Sequence, residues 1–224
     1  MKLIKPLIAG LTAIVVASGL ALSAHATPTL TLSDGTTTIV VMDNGVGDLD
    51  PTLGSVVFNG AVGSNFNVNT SAGLTKPADG SASAPAIDLN SLNHALGAGT
   101  LTITFSETGF TAFPGILTGG IGGTIAVGGS LTNVVMQNAL DLVTNGPFGP
   151  GPFSGSGSAA LIDGAPYSLT QTAILTFGRR GGSTSFDAMA SVPGVPDGGT
   201  TVTMLGIGLL AMGAARRIYR RATV

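Results

Sequence analysis

Cysteine and tryptophan are absent from the 224 residues, and the chain has only two histidines. Without cysteine there is no disulfide and no thiolate nucleophile, so an exported protein of this sequence must be held together by packing alone. Only His94 lies outside the first 26 residues, which excludes a zinc site built on two or more histidines. A Gly-x-Ser-x-Gly elbow is also missing. We therefore expect that the protein is not an enzyme.

Carboxylates offer little more for catalysis. Glu107 is the only glutamate, and Asp141 and Asp163 are far from it in sequence. Their spacing gives no support to an acid–base pair of the glycosidase kind. His94 is interpreted as a surface or loop residue rather than a catalyst. A secreted hydrolase that uses Glu107 or His94 is therefore the weakest of the functional hypotheses.

Charged residues are scarce, at 9% of the chain. The segment from Thr27 to Gly199 holds all eleven acidic residues and three basic ones, a formal net charge of −8. This balance argues against binding to nucleic acid and is compatible with divalent cations. Two interpretations fit the segment Arg179-Arg180-Gly181-Gly182. Its arginines could bind an anionic polymer, or the segment could be a charged hairpin turn, and the turn is preferred.

The N-terminus has the layout of a secretory signal peptide. Lys2 and Lys5 supply the positive charge, and an apolar stretch runs from Leu7 to Leu22. Ala24 and Ala26 fit the small-x-small rule of signal peptidase, which predicts cleavage after Ala26. The alternative is an uncleaved helical membrane anchor. We expect residues 1–26 to be removed during export.

The C-terminus combines an apolar run with a basic cluster. Residues 200–215 form the run, and as a helix they are roughly 24 Å long, slightly short of a hydrocarbon core. A transmembrane helix is predicted over about residues 200–219, with a cytoplasmic C-terminus because arginines favour that side. The alternative is a buried core helix. The arginines that stop and orient the segment are Arg216, Arg217, Arg220 and Arg221.

A turn-forming pentapeptide precedes the apolar run. Pro196 fixes its own φ and pushes Val195 toward an extended conformation, so the peptide is expected to be exposed just outside the bilayer. The pentapeptide, the run and the arginines together resemble the sorting signals of the PEP-CTERM class, in particular the VPDSG-type variant. Gly198 stands where that variant has serine. The motif residues are Val195, Pro196, Asp197, Gly198 and Gly199.

The resemblance covers only about residues 195–221, and it carries expectations about partners and location. It implies a substrate of an exosortase, a membrane-embedded processing enzyme of Gram-negative bacteria. The protein would be anchored in the inner membrane with a periplasmic ectodomain and would then reach the cell surface or the extracellular space. Exopolysaccharide is a candidate partner there. The resemblance assigns no activity to the ectodomain.

Residues 27–194 are predicted to form an all-β domain, an antiparallel β-sandwich. Period-two alternation of apolar and polar residues dominates this region, as in Thr29–Ser33 and Thr100–Phe105. About eight to ten strands punctuated by glycine and proline are typical of two packed sheets. Thr75–Pro85 is expected to be a surface loop and Asn145–Gly157 a long irregular connection. Asp88–Leu96 is interpreted as a short turn or a further strand.

One acidic loop is the only dense group of hard oxygen ligands. Asp43, Asn44, Asp48 and Asp50 lie on a glycine-bent stretch and would offer calcium four or more oxygens. The stretch partly resembles one unit of a thrombospondin type-3 calcium loop. A hydrogen-bonded turn explains the same residues without a metal and is the preferred interpretation. No cofactor is expected apart from calcium at this loop.

The leading functional hypothesis is an exported, non-catalytic protein of the cell envelope or extracellular matrix. Its sorting and membrane anchoring would depend on the C-terminal signal. The alternative is a calcium-dependent adhesive or carbohydrate-binding surface module that uses Asp43–Asp50.

Overall fold

The computed structural model describes residues 27–162, 164–193, 205–207 and 209. The described residues form twelve strands that pack as two antiparallel six-stranded sheets, which confirms the predicted all-β sandwich. The signal peptide, the sorting motif Val195–Gly199 and the arginine cluster 216–221 lie outside the described residues. Leu205–Ile207 and Leu209 are helical. No helix within the described part of the chain is long and apolar enough to cross a membrane.

The first sheet, sheet A, has the strand order β2-β1-β6-β11-β8-β9. Each of its strands pairs antiparallel with its neighbours. Alternation of buried and exposed side chains along β1, β6, β8 and β11 places one row of each strand against the second sheet. The strands are β1 Thr29–Ser33, β2 Thr38–Met42, β6 Gly99–Phe110, β8 Gly129–Gln137, β9 Leu140–Phe148 and β11 Tyr167–Phe177.

The second sheet, sheet B, has the order β10-β7-β12-β5-β4-β3. Its edge strands β3 and β10 follow the edge strands β2 and β9 of sheet A in sequence, so the chain crosses between sheets at both open sides. The strands are β3 Ser55–Val62, β4 Phe66–Thr75, β5 Ala86–Ala95, β7 Ile116–Ile125, β10 Gly151–Ala160 and β12 Gly182–Ser191.

The sheet registers define two poles of the sandwich. The end where β12 finishes at Ser191 is here named the exit pole, and it carries the loops 43–54, 76–85, 111–115, 138–139 and 161–166. The opposite end, the far pole, carries the loops 34–37, 63–65, 96–98, 126–128, 149–150 and 178–181. Both the acidic loop and the segment 192–193 that leads to the tail therefore belong to the exit pole.

The core lies between the sheets and consists of aliphatic and aromatic side chains. Phe105, Phe110 and Leu169 are fully or almost fully buried in sheet A. Gly73 of β4 faces the Phe105 ring so closely that a Cβ there would lie 2.3 Å from a ring carbon. The sheets approach each other at this point because glycine leaves room for the phenylalanine.

Three sequence expectations needed correction or refinement. Asn145–Gly157 is not an irregular connection, since it contains the end of β9 and much of β10. The strand number exceeds the expected eight to ten. Of the two alternatives for Asp88–Leu96 the strand is the one observed: residues 88–95 belong to β5, and Leu96 lies in the loop that follows. Thr75–Pro85 is mostly loop as expected, because β4 ends at Thr75 and β5 begins at Ala86.

Candidate functional site

The acidic loop at the exit pole is closed by its own backbone. Asp48 accepts hydrogen bonds at Oδ1 from the N–H groups of Asp50 (3.1 Å) and Val57 (2.9 Å). Its Oδ2 accepts from the Asn44 N–H at 2.8 Å. One carboxylate thus ties the loop to the start of β3 and satisfies three backbone donors.

The other two aspartates of the loop are engaged in the same way. Asp43 accepts from Asn44 Nδ2 (2.7 Å) and from the Gly54 N–H (2.8 Å). Asp50 accepts from the Ser55 hydroxyl (2.7 Å) and from the Thr52 N–H (2.9 Å), and these bonds hold the pKa of Asp50 below its ordinary value. Every carboxylate oxygen of the three aspartates therefore has a protein donor.

The carboxylate oxygens that calcium would need in this loop already accept hydrogen bonds from the protein. Across the described residues, no group of three or more His, Cys, Asp or Glu side chains is placed to hold a metal ion. Calcium would have to compete with seven hydrogen bonds already formed within and around the loop. The arrangement has the character of a hydrogen-bonded turn, and calcium binding by Asp43, Asn44, Asp48 and Asp50 stays a prediction.

The single glutamate, Glu107, forms a buried ion pair. Glu107 of β6 is 1% exposed in its side chain, and its Oε1 lies 3.0 Å from Lys76 Nζ. Lys76 Nζ also donates to the Thr108 carbonyl at 2.6 Å and lies 4.6 Å from the centre of the Phe110 ring. The pair joins the loop after β4 of sheet B to a strand of sheet A. Sequence reasoning missed it because the partners are 31 positions apart.

The other residues considered for catalysis are dispersed. His94 lies on the outer face of β5 toward the far pole, and its Nδ1 is 3.0 Å from the Ser183 hydroxyl. Glu107 is inside the sandwich near the exit pole, so the two do not form a joint site. Arg179 and Arg180 are exposed in a turn, as predicted, but this turn connects β11 of sheet A to β12 of sheet B and is therefore not a hairpin. Asp163 lies outside the described residues.

The outer face of sheet B carries a groove of about 620 Å³. Its floor is open because the outward-facing positions 120 and 122 of β7 are glycines, and β10 borders it with Ser156 and Ser158. Asp88 of β5 and Asp187 of β12 stand along the other side. Burial raises the pKa of Asp88 to about 6, and the nearby charge of Asp187 adds to this rise.

Sequence reasoning overlooked this groove. Gly119, Gly120, Gly122 and Gly123 in β7 were the available signal, because glycine in a strand often marks a close approach or an open surface. A Cβ at Gly120 or Gly122 would meet no atom closer than 3.7 Å. The space above these glycines is therefore large enough to accept side chains or a ligand.

The outer face of sheet A is lined by hydroxyl groups. Cross-strand pairs hold these hydroxyls in place, with oxygen–oxygen distances of 3.2 Å for Thr100–Thr176 and for Thr104–Thr172. Ser106 and Thr170 form a third pair at 2.8 Å. Hydroxyls fixed in this way present further donors and acceptors to water or to a hydrated polymer.

The comparison with known protein families finds a match in the tail that follows β12. Residues 194–219 match the family model described as VPDSG-CTERM motif. The chain carries a VPDSG-CTERM tail. This finding confirms the resemblance drawn from Val195–Gly199, the apolar run and the arginines. A VPDSG-CTERM tail implies an exported, cell-surface protein and processing by an exosortase-like enzyme.

A comparison with curated protein sequences finds no match. Among solved structures, similarity is found to TmCBM61 in complex with beta-1,4-galactotriose, with a TM-score of 0.35 and 9% identity over 58% of this chain and 89% of that one. A structure described as CBM4 structure and function gives 0.35 and 10% over 66% and 92%. The mannan-recognising module TmCBM27 gives 0.30 and 9% over 58% and 88%. These similarities identify no ligand for this protein.

Proposed function

We propose that this chain is an exported, non-catalytic protein of the cell envelope or extracellular matrix. Its β-sandwich is the domain that is exported, and the VPDSG-CTERM tail is the signal that sorts it. The observation that carries the proposal is the match of residues 194–219 to the motif, directly after the last strand of the sandwich. The sorting signal therefore begins where the folded domain ends.

The proposed route uses both ends of the chain. Signal peptidase cleaves after Ala26, and the tail then holds the ectodomain on the outer side of the inner membrane. Arg216, Arg217, Arg220 and Arg221 keep the C-terminus in the cytoplasm. An exosortase-like enzyme acts at Val195–Gly199, since Pro196 keeps this peptide extended and open to a binding cleft.

A passive role for the sandwich is supported by what its polar groups do. Glu107 is bound in the ion pair with Lys76, and the aspartates of the acidic loop serve backbone donors. The hydroxyl-lined face of sheet A suits contact with a hydrated matrix such as exopolysaccharide, because it can exchange hydrogen bonds with water and sugars alike.

The test of this proposal removes the basic cluster. A variant with Arg216, Arg217, Arg220 and Arg221 replaced by glutamine is expressed in the native host, and its mature mass and location are compared with the parent. The matched control replaces Arg179 and Arg180 by glutamine, since both are exposed in a turn of the sandwich. We expect missorting or loss of processing in the first variant and normal behaviour in the control. Unchanged size and location of the first variant would contradict the proposal.

The groove on sheet B favours a second candidate, a carbohydrate-binding or calcium-dependent adhesive surface module. Serine hydroxyls and two carboxylates around an open floor are groups that accept and donate hydrogen bonds to a glycan. Replacing Gly120 and Gly122 by leucine should fill the groove and abolish binding to host exopolysaccharide. Gly149→Leu, at a far-pole position with no atom within 4 Å of its Cβ, is the control. A melting temperature unaffected by calcium or chelator would remove the calcium-dependent form.

A further inference from the structure

Exposed apolar side chains are concentrated at the exit pole. Val46 is 98% exposed there. Other large apolar side chains of the loops 43–54, 111–115 and 161–166 are exposed as well. The far pole has only two among the described residues, Leu96 and Val127. The exit-pole set is Met42, Val46, Leu49, Leu53, Phe113, Ile116, Leu140 and Ile162.

These side chains are not part of the core and have no sheet to cover them. They come from the loop before β3, the loop between β6 and β7, the loop after β10 and the ends of β2, β7 and β9. The register brings all of these to one end of the sandwich. Single exposed apolar residues are normal on a protein surface, but a group confined to one end indicates a contact surface.

The path of the chain suggests what covers this surface. Val192 donates its N–H to the Pro85 carbonyl at 2.9 Å, and its side chain lies against Gly115, as does that of Leu161. The exit point is thereby fixed to the pole. Seven residues, 193–199, separate Val192 from the apolar run that begins at residue 200. Seven residues span at most roughly 25 Å when fully extended.

This tether is short compared with the sandwich itself. The ten residues of β12 extend over about 33 Å. When the apolar run is inserted in a bilayer, the exit pole must stay within the reach of the tether, while the far pole can point away from the membrane. The apolar side chains of the exit pole are therefore the ones held next to the lipid.

We propose that the exit pole docks on the outer surface of the membrane that holds the tail, with Val46, Leu49 and Leu53 entering the interfacial layer. The inference rests on the proposed function, because it needs the tail to be inserted. Docking would keep Val195–Gly199 at a constant height above the bilayer, where a membrane-embedded processing enzyme can reach it. The partner surface is the phospholipid bilayer itself.

Charge determines which lipids favour this contact. The exit pole carries Asp43, Asp48, Asp50, Asp79 and Asp141. Within the described part of this pole the one cationic side chain is that of Lys76, and it is buried against Glu107. The contact is therefore driven by apolar burial and opposed by anionic headgroups. Binding should be stronger on zwitterionic than on anionic bilayers.

The absence of tryptophan provides a clean probe. Val46→Trp and Val127→Trp are a matched pair, because both valines are highly exposed turn residues at opposite poles. Each full-length variant is reconstituted into phosphatidylcholine vesicles that contain a nitroxide lipid labelled near the headgroup. We expect the indole emission of Val46→Trp to shift to the blue and to be quenched about threefold more than that of Val127→Trp, since only the first indole enters the interface.

Two further measurements make each outcome decisive. Adding Leu49→Ser and Leu53→Ser to the Val46→Trp variant should reduce the quenching, whereas Leu96→Ser should leave it unchanged. Equal quenching at the two poles, or no effect of the serines, would overturn docking, as would stronger quenching on vesicles rich in phosphatidylglycerol.

Flotation with the vesicles reports tail insertion separately from docking. Protein that floats, but whose indole is quenched equally in the Val46→Trp and Val127→Trp variants, refutes docking alone. Protein that does not float refutes the proposed anchoring, and with it the function on which the docking inference rests.

Discussion

Removing the charge of Lys76 should destabilise the sandwich more than most single substitutions. In Lys76→Met the carboxylate of Glu107 loses a counter-ion at 3.0 Å while its side chain remains 1% exposed. Leaving a buried charge without its partner costs about 3–5 kcal/mol in other proteins. The Thr108 carbonyl also loses a hydrogen-bond donor, and the Phe110 ring loses its cation contact. We expect the free energy of unfolding to fall by about 4 kcal/mol.

The double variant separates the effect of the charges from that of packing. Lys76→Met combined with Glu107→Leu removes both charges and leaves apolar side chains of similar size, so no buried carboxylate remains that has lost its ammonium counter-ion. Replacing both members of a buried pair is often close to neutral, and the double variant should recover about 2 kcal/mol or more of the loss. Arg179→Met serves as a control, because its side chain is exposed in a turn and its loss should cost less than about 0.5 kcal/mol.

The assay is equilibrium unfolding of the full-length protein in urea and a mild non-ionic detergent, followed by circular dichroism of the β-sheet signal. A loss below about 1 kcal/mol for Lys76→Met would refute the uncompensated-charge argument. A double variant less stable than Lys76→Met would refute it as well, because it would show that the packing of the two side chains matters more than their charges.

Two further predictions concern single positions of sheet B. Asp88→Asn should stabilise the protein at pH 7.5, because the pKa of Asp88 is raised from 3.8 to about 6 and the folded state therefore resists its ionisation. The difference corresponds to about 3 kcal/mol, which solvent screening at this half-buried site reduces to about 1 kcal/mol. The gain should fade between pH 6 and 4 in thermal melts, and a gain that persists at pH 4 would contradict the assignment. Gly73→Ala should cost about 1–3 kcal/mol because its Cβ would overlap the Phe105 ring. Gly149→Ala, which meets no neighbour, is the control, and equal stability of the two variants would contradict the close approach.

The fold class could be predicted because most strands alternate in sequence as they do in the sheets. Tyr167–Phe177 is an example, since its apolar side chains other than Ile174 face the core and its threonines face outward. Local patterning of this kind needs no knowledge of the partner strand. The same patterning could not give the number of strands or their order in each sheet, which depend on contacts between distant segments.

The edge strand β10 shows why the prediction failed for Asn145–Gly157. Its inward positions 155 and 157 are glycines because neighbouring side chains occupy the space: added Cβ atoms would lie 2.7 Å from the Phe148 ring and 2.9 Å from a Val143 methyl. Phe148 and Phe153 stack with ring centres 4.6 Å apart and supply the apolar contact instead. A strand with glycine at several inward positions has only a weak alternating signature, so it resembles a loop in sequence.

Some of the candidate sites could be predicted from the sequence and others could not. The sorting motif is a contiguous sequence signal, and the family comparison confirmed it. The acidic loop was also visible as a contiguous run, although its hydrogen-bond partners at Gly54, Ser55 and Val57 were not. The pair of Lys76 with Glu107 and the groove beside Asp88 and Asp187 are assembled from separate strands, which sequence spacing alone cannot bring together.

Mass spectrometry of the protein isolated from its native host tests the central claim most directly. Intact mass and terminal peptides would define both ends of the mature chain and the cell fraction in which it occurs. The account predicts a chain that begins at Thr27, is recovered from the envelope or the extracellular fraction, and has lost or exchanged its tail at Val195–Gly199. An intact chain from Met1 to Val224 in the soluble cytosolic fraction would contradict it.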